Sequence, residues 1–167
     1  MDSVPLDAET RAADLPAHRR EVRLWLRMLT CTTLIEGEVR RRLRNGFDLT
    51  LPRFDLMAQL ERAPEGLTLG ALSRRLMVSN GNITGLVERL VESGHVQRVP
   101  HPVDRRVALV RLTEAGRAAF TDMARAHAGW IGALFGDLSA EEVEMLQRLL
   151  GRVKTSVRGV AAREEPR

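Results

Sequence analysis

The chain has 167 residues, 44% of them hydrophobic, and a formal net charge of +4, which allows one domain with a real core or a small domain plus an oligomerisation element. A single cysteine, Cys31, excludes an intrachain disulfide framework and a paired-cysteine metal site. No apolar run approaches the roughly 18 residues needed to cross a bilayer, and Met1-Asp2-Ser3-Val4-Pro5 lacks the basic and apolar regions of a secretion signal, so a cytoplasmic address and no membrane partner are expected.

Charge is unevenly spread. The first eighteen residues hold Asp2, Asp7, Glu9 and Asp14 against Arg11, whereas between Ala71 and Arg111 the arginines at 74, 75, 89, 98, 105, 106 and 111 face Glu88, Glu92 and Asp104. Such an excess suits a polyanionic partner, although a solvated basic surface has the same composition. Lys154 is the only lysine. A guanidinium grips phosphate or a guanine edge in bidentate fashion, and base composition of the genome produces the same bias.

In chain order, residues 1–17 mix Pro5, Pro16, acids and alanines without periodicity and read as a loosely attached arm. Val22, Trp25, Leu26 and Leu29 keep helical spacing, and Ile35, Val39 and Leu43 continue it, either as one helix or as two joined near Thr30 to Thr33. Arg40, Arg41, Arg42 and Arg44 precede Asn45-Gly46, where cations favour a helix C-terminus and Gly a left-handed cap. Thr50-Leu51-Pro52 reads as a helix start with Phe54, Met57 and Leu60 as its buried stripe, stopped by Pro64-Glu65-Gly66. A short extended piece at Leu67 leads to Thr68, the cap of a compact helix carrying Leu69, Leu72 and Leu76.

After Met77-Val78, Ser79 caps another helix, with Ile83, Leu86, Val87, Leu90 and Val91 as its apolar face and Ser93-Gly94 as its end. Two short helices across a tight turn make a helix-turn-helix. The second helix leaves Asn80, Gly81, Asn82 and Thr84 on its outer face. Asn and Gly weaken a helix, Gly by about 1 kcal/mol relative to Ala, so something other than helix stability selects them. His95 to Pro100 and Val107 to Leu112 are β-rich and read as a hairpin with the cationic tip Val103-Asp104-Arg105-Arg106. Thr113-Glu114 opens a long helix with Phe120, Met123, His127, Trp130 and Leu134 on one seam. Gly136-Asp137 interrupts it, and Ser139-Ala140-Glu141-Glu142 supplies a capping box for a last helix. There Val143, Leu146, Leu150, Val153 and Val157 alternate spacings of three and four, a heptad seam that a second copy would bury more economically than one small domain. From Ala161 the tail is charged and expected to fray.

The runs Leu49-Thr50-Leu51-Pro52-Arg53-Phe54, Leu72-Ser73-Arg74-Arg75-Leu76 and Asn82-Ile83-Thr84-Gly85-Leu86-Val87-Glu88-Arg89-Leu90 with Gly94, then Asp104-Arg105-Arg106 running into Val110-Arg111-Leu112-Thr113-Glu114-Ala115-Gly116-Arg117, resemble the MarR family of bacterial transcription regulators. The likeness covers about residues 18–158, and its most specific part is the spacing from Asp104 to Arg117. It implies a mainly α fold with a small β-wing: a flexible arm (1–17), N-terminal dimerisation helices (18–48), a winged helix-turn-helix (49–113), C-terminal dimerisation helices (114–158) and a tail (159–167). It also implies an obligate homodimer on a pseudo-palindromic double-stranded DNA operator. Within that frame Ser79, Asn80, Asn82 and Thr84 reach base edges and phosphates, and Arg74 and Arg89 contact phosphates. Arg105 enters the minor groove, and Asp104 and Arg106 form an ion pair that shapes the wing tip. Gly85 departs from the family, where a basic or larger side chain is frequent. With Gly81 it leaves a smooth strip that suits either close approach to DNA or a bulky effector.

Many such regulators are repressors released by small aromatic acids or related compounds. Here Trp25, Met28, Cys31 and Met57 offer soft walls and Arg23 or Arg27 a partner for a carboxylate, with ordinary core as the alternative for Trp25 and the methionines. An aromatic acid or its acyl-thioester is the effector expected. A redox switch through Cys31 is a second reading, but the chain has no tyrosine to activate it. Constitutive DNA binding without an effector is a third. A hydrolytic enzyme or a non-DNA interaction module is the reading from another class: His18, His95, His101 and His127 lack metal-ligand spacing, and no GxSxG or Gly-rich phosphate loop occurs, so neither catalytic residues nor a cofactor are expected.

Overall fold

The computed structural model describes residues 19–103 and 106–164; the expected N-terminal arm lies outside them. Helix α1 spans Arg19–Phe47, α2 Leu51–Glu61, β1 Leu67–Thr68, α3 Leu69–Leu76, α4 Asn80–Glu92, β2 Val96–Pro100, β3 Ala108–Leu112, α5 Glu114–Leu134 and α6 Ala140–Glu164. The fold is mostly helical with one small antiparallel sheet in the order β1-β3-β2. The chain divides into two compact units, Met1–Ala128 and Gly129–Arg167.

The first unit holds the core. Leu43 and Val39 of α1, Leu56, Met57 and Leu60 of α2, Leu72 of α3, Ile83, Val87 and Leu90 of α4, Val110 and Leu112 of β3 and Met123 of α5 are all at least nine-tenths buried. The helical spacings of α2, α3 and α4 place these side chains on one face each. One residue departs from the expected face of α4: Val91 is 41% exposed, because the stripe that meets the core is Ile83, Val87 and Leu90.

Helix α1 is continuous. The threonines that suggested a join send their hydroxyls back to carbonyls one turn earlier, Thr30 to Leu26, Thr32 to Met28 and Thr33 to Leu29, each at 2.9 Å, so they interrupt nothing. Towards its end Glu38 accepts from Arg41 and Arg42 at 2.6 Å, and these hydrogen bonds hold its carboxyl down at about 2. The cap is not Gly46, which stays helical. The left-handed residue is Asp48, φ 49, whose N–H reaches Arg44 at 3.2 Å while Leu49 reaches Leu43 at 3.3 Å. Asp is among the residues that tolerate this conformation. Pro52 sits in the first turn of α2 as expected, but Thr50 makes no side-chain cap; its hydroxyl accepts from Arg53 Nε at 3.2 Å instead.

In the sheet, Val96 pairs with Leu112 and Pro100 with Ala108 along β2–β3, and Leu67 pairs with Val110 on the far edge. The junction from sheet to α5 explains the Leu112-Thr113-Glu114-Ala115-Gly116 run. Leu112 is buried, Thr113 N–H donates to the His95 carbonyl at 3.0 Å, and its hydroxyl donates to the Gly94 carbonyl at 2.7 Å while accepting from Gly116 N–H at 2.9 Å. One threonine thus caps α5 and ties it to the end of α4.

In the second unit, Ser139 N–H donates to the Glu142 carboxylate at 2.8 Å and Glu142 N–H returns to the Ser139 hydroxyl at 3.3 Å, the reciprocal capping box read from the sequence. Helix α6 runs on through Glu164, so the segment expected to fray from Ala161 is helical over its described part. Among the described residues no helix is long and apolar enough to cross a membrane.

Candidate nucleic-acid interface

The helix-turn-helix is α3, a three-residue turn and α4. Thr68 caps α3 by accepting from Ala71 N–H at 3.2 Å, and Ser79 caps α4 by accepting from Asn82 N–H at 3.4 Å. Ser73 fastens the turn: its carbonyl accepts from the N–H groups of Met77 and Val78, and its hydroxyl donates to the Val78 carbonyl at 2.6 Å. At the other end Gly94, φ 73, closes α4 with N–H bonds from Gly94 to Val91 and from His95 to Leu90, both 2.9 Å, a Schellman arrangement.

The predicted reading residues come together at the start of α4. Ser79, Asn80, Gly81, Asn82 and Gly85 are exposed and Thr84 is half-buried, its hydroxyl donating to the Asn80 carbonyl at 3.0 Å. That leaves the amides of Asn80 and Asn82 free to meet base edges. Nothing lies within 4 Å of where a Cβ would sit at Gly81 or Gly85. The fold therefore does not demand glycine at either position, as the sequence suggested on propensity alone.

The arginines sort by partner. Arg111 donates to the Glu65 carbonyl at 2.6 Å and pairs with its carboxylate at 3.4 Å, so it braces β3 against the loop before β1. Arg89 pairs with Glu92 at 3.2 Å, both side chains mostly exposed, and Arg98 approaches Glu88 at 4.0 Å. Arg74 and Arg75, in the last turn of α3, are exposed and meet no carboxylate among the described residues. Arg75, not among the DNA-contacting residues expected from the sequence, thus stands exposed next to Arg74. The pattern Leu72-Ser73-Arg74-Arg75-Leu76 held the signal, since Leu72 is buried and Ser73 and Leu76 half-buried while Arg74 and Arg75 are exposed. At the wing, Asp104 and Arg105 lie outside the described residues, and with them the predicted ion pair and minor-groove contact; Arg106 is exposed.

A capped helix with a small, uncharged, donor-rich outer face beside two unpaired guanidinium groups can bind a phosphate backbone and read groove edges. The relatives agree. A family model described as MarR family matches residues 47–107. The transcriptional activatory protein BadR of Rhodopseudomonas palustris is 33% identical over 124 residues, covering 72% of this chain and 70% of that protein. The chain belongs to the MarR family. Among solved structures of that family, a transcriptional regulator from Silicibacter pomeroyi superposes with a TM-score of 0.73 at 33% identity, over 86% of this chain and 99% of that one. A mutant MarR from E. coli complexed with operator DNA gives 0.70 at 26% identity, over 83% and 99%. The protein is thus a MarR-type, DNA-binding transcription regulator with a winged helix fold, and as such not an enzyme.

The residues assigned to an effector differ in their surroundings in this MarR chain. Arg23, Trp25, Arg27 and Cys31 are exposed on α1 and Met28 is half-buried. Met57 is fully buried in the core, where α2 packs on its neighbours, which corrects its assignment as a ligand-facing wall. His127 is also part of the first unit's packing, its ring 5.1 Å from that of Phe54, which in turn lies 5.5 Å from Phe120.

Close by on α2, burial pushes the Asp55 carboxyl up, Glu36 adds to the push, and His127 and Arg40 oppose it. The folded state therefore disfavours the ionised form. A raised carboxyl gives stability that is complete below its unfolded value and lost as pH rises through its folded one. Asp55→Asn should accordingly melt slightly higher than the wild type at pH 7, and the difference should shrink as the pH falls and vanish below the unfolded carboxyl value. Paired thermal melts across that range check it; an Asn variant that is less stable at pH 7 would contradict it.

Proposed function

We propose that this regulator binds a pseudo-palindromic operator as a homodimer and, acting as a repressor, is released by a small aromatic acid or its acyl-thioester. The observation that carries the DNA half is the exposed Ser79-to-Gly85 face of α4 beside unpaired Arg74 and Arg75. Ser79, Asn80, Asn82 and Thr84 contact bases and phosphates, Arg74 and Arg89 phosphates, and Arg105 the minor groove, with Asp104 and Arg106 shaping the wing. The exposed apolar face of α6 supports the homodimer. Arg23 and Arg27, unpaired among the described residues, and exposed Trp25 support an effector carboxylate near the first half of α1, with Met28 and Cys31 beside them. Exposure of Cys31 equally supports a redox-responsive variant. A regulator of this kind works in the cytoplasm.

Activation is the second reading, favoured by the likeness to the R. palustris transcriptional activatory protein. The operator's place relative to the promoter decides the sign. Selection of duplexes from a random library, followed by gel shifts over a salt series and titration with benzoate-type acids and their thioesters, tests the whole. Salt-sensitive, sequence-dependent binding is expected, with loss of the shift on adding one compound class. Failure to enrich any duplex would remove the DNA-binding role. Gly85→Arg is expected to fold, to tighten operator binding and to steepen its salt dependence by about one ion. If it abolishes the ligand response as well, the strip at Gly81 and Gly85 serves the effector.

A further inference from the structure

Helix α3 ends on a left-handed residue, Met77, at φ 54 and ψ 39. That conformation is cheap for glycine and strained for a methionine. The turn imposes it, because Ser73 holds the Met77 and Val78 amides with its carbonyl and the Val78 carbonyl with its hydroxyl. Glycine would satisfy the same bonds with less strain. The methionine side chain returns nothing within the chain: at 93% exposure it is the most exposed large hydrophobic residue among those described. A strained backbone and an unburied apolar side chain at one position are both accounted for by a partner outside the chain.

Its surroundings select the partner. Met77 follows unpaired Arg74 and Arg75 and precedes Ser79, whose helix presents its N-terminal amides. A cationic edge with helix amides suits a phosphate backbone and opposes a purely apolar protein surface. Between phosphates a DNA strand offers apolar deoxyribose faces, and an unbranched, adaptable thioether fits such a surface.

We propose that Met77 packs on a deoxyribose at the edge of the operator's major groove and so sets how deeply α4 enters. The inference rests on the DNA-binding reading above. A sugar contact is apolar, so it contributes to affinity for any duplex and releases no counterion.

The test uses the full chain, the best duplex from the library selection and one unrelated duplex, each titrated over a salt series. Met77→Gly is expected to melt at least as high as the wild type and to weaken both duplexes by the same factor, about five-fold, as fits partial burial of one methionine side chain. The slope of log affinity against log salt should not change. Met77→Asn, which also tolerates the left-handed conformation, should lose the same amount and guards against a folding defect in the glycine variant. Wild-type affinity in either variant overturns the proposal, as does a changed slope, which would mean a phosphate contact, or a loss confined to one duplex, which would mean base reading. If the wild type enriches no duplex, the DNA-binding reading falls and this contact with it. If the wild type binds and the variants bind equally well, only this contact falls.

Discussion

Gly116→Ala is expected to destabilise the protein by about 3 kcal/mol, a large share of the roughly 5–15 kcal/mol available to a folded domain. At an ordinary interior helix position the same change stabilises, by about 1 kcal/mol. Here a Cβ would sit 1.9 Å from the His95 carbonyl oxygen and 2.8 Å from its carbon, and neither is the end of a flexible side chain. Either α5 retreats from the strand or the backbone at His95 moves. In both cases the Thr113 bonds to Gly94 and His95 lengthen, and each is worth about 1 kcal/mol. Urea denaturation should show a lower midpoint with an unchanged slope, and heating a drop of roughly 6–12 °C. A variant as stable as the wild type would mean that the junction slides at little cost. Because β2 and β3 carry the wing and α4 ends at the same junction, operator affinity should fall along with stability.

That glycine shows what a single sequence does and does not disclose. The helix-turn-helix, the hairpin and the capping box at Ser139 were legible because each is local: a hydroxyl bonds an amide three residues on, and apolar spacing of three and four fixes a helix face. The role of Gly116 was not, since the group that forbids a Cβ is a carbonyl at His95 on another element; the run Leu112 to Gly116 was visible only as a family likeness. Arg111 and Glu65 lie far apart in the chain, so Arg111 counted towards a basic surface that it does not join. The left-handed residues were misjudged for a different reason. Propensity favours Gly46 over Asp48 and says nothing for Met77, yet the hydrogen bonds that close α1 and α3 decide which residue takes that conformation. At the start of α4 the exposure of Ser79, Asn80, Gly81 and Asn82 was legible, because an exposed helix end keeps its sequence pattern whatever the tertiary context, while Thr84 is half-buried. The place of Met57 was not legible, because whether a methionine lines a cavity or fills the core depends on packing that periodicity does not carry.

Replacing Leu150 and Val153 together by glutamate is expected to convert a dimer into a monomer. Along α6, Leu146, Leu150 and Val153 are each close to 38% exposed and Val157 is 62% exposed, although they repeat at the three-and-four spacing of a buried seam. Met145, Leu149 and Val160 widen that face and are exposed too. Each such side chain contributes on the order of 1–2 kcal/mol when covered, and symmetry doubles the number. Even after the cost of association this favours a dimer at micromolar concentration. Four carboxylates facing one another across a two-fold axis would reverse the balance. Sedimentation should show the wild type at twice the chain mass and the variant at one. The residues that form the core all belong to the first unit, so the variant's winged domain should keep its fold while α6, deprived of a partner, loses helicity. Operator affinity should then fall by at least about 100-fold, because two half-sites are no longer engaged by one tethered pair of readers. A double-glutamate variant that still sediments as a dimer would place the self-association elsewhere, with the exposed Leu24, Trp25 and Leu34 of α1 as the next face to mutate.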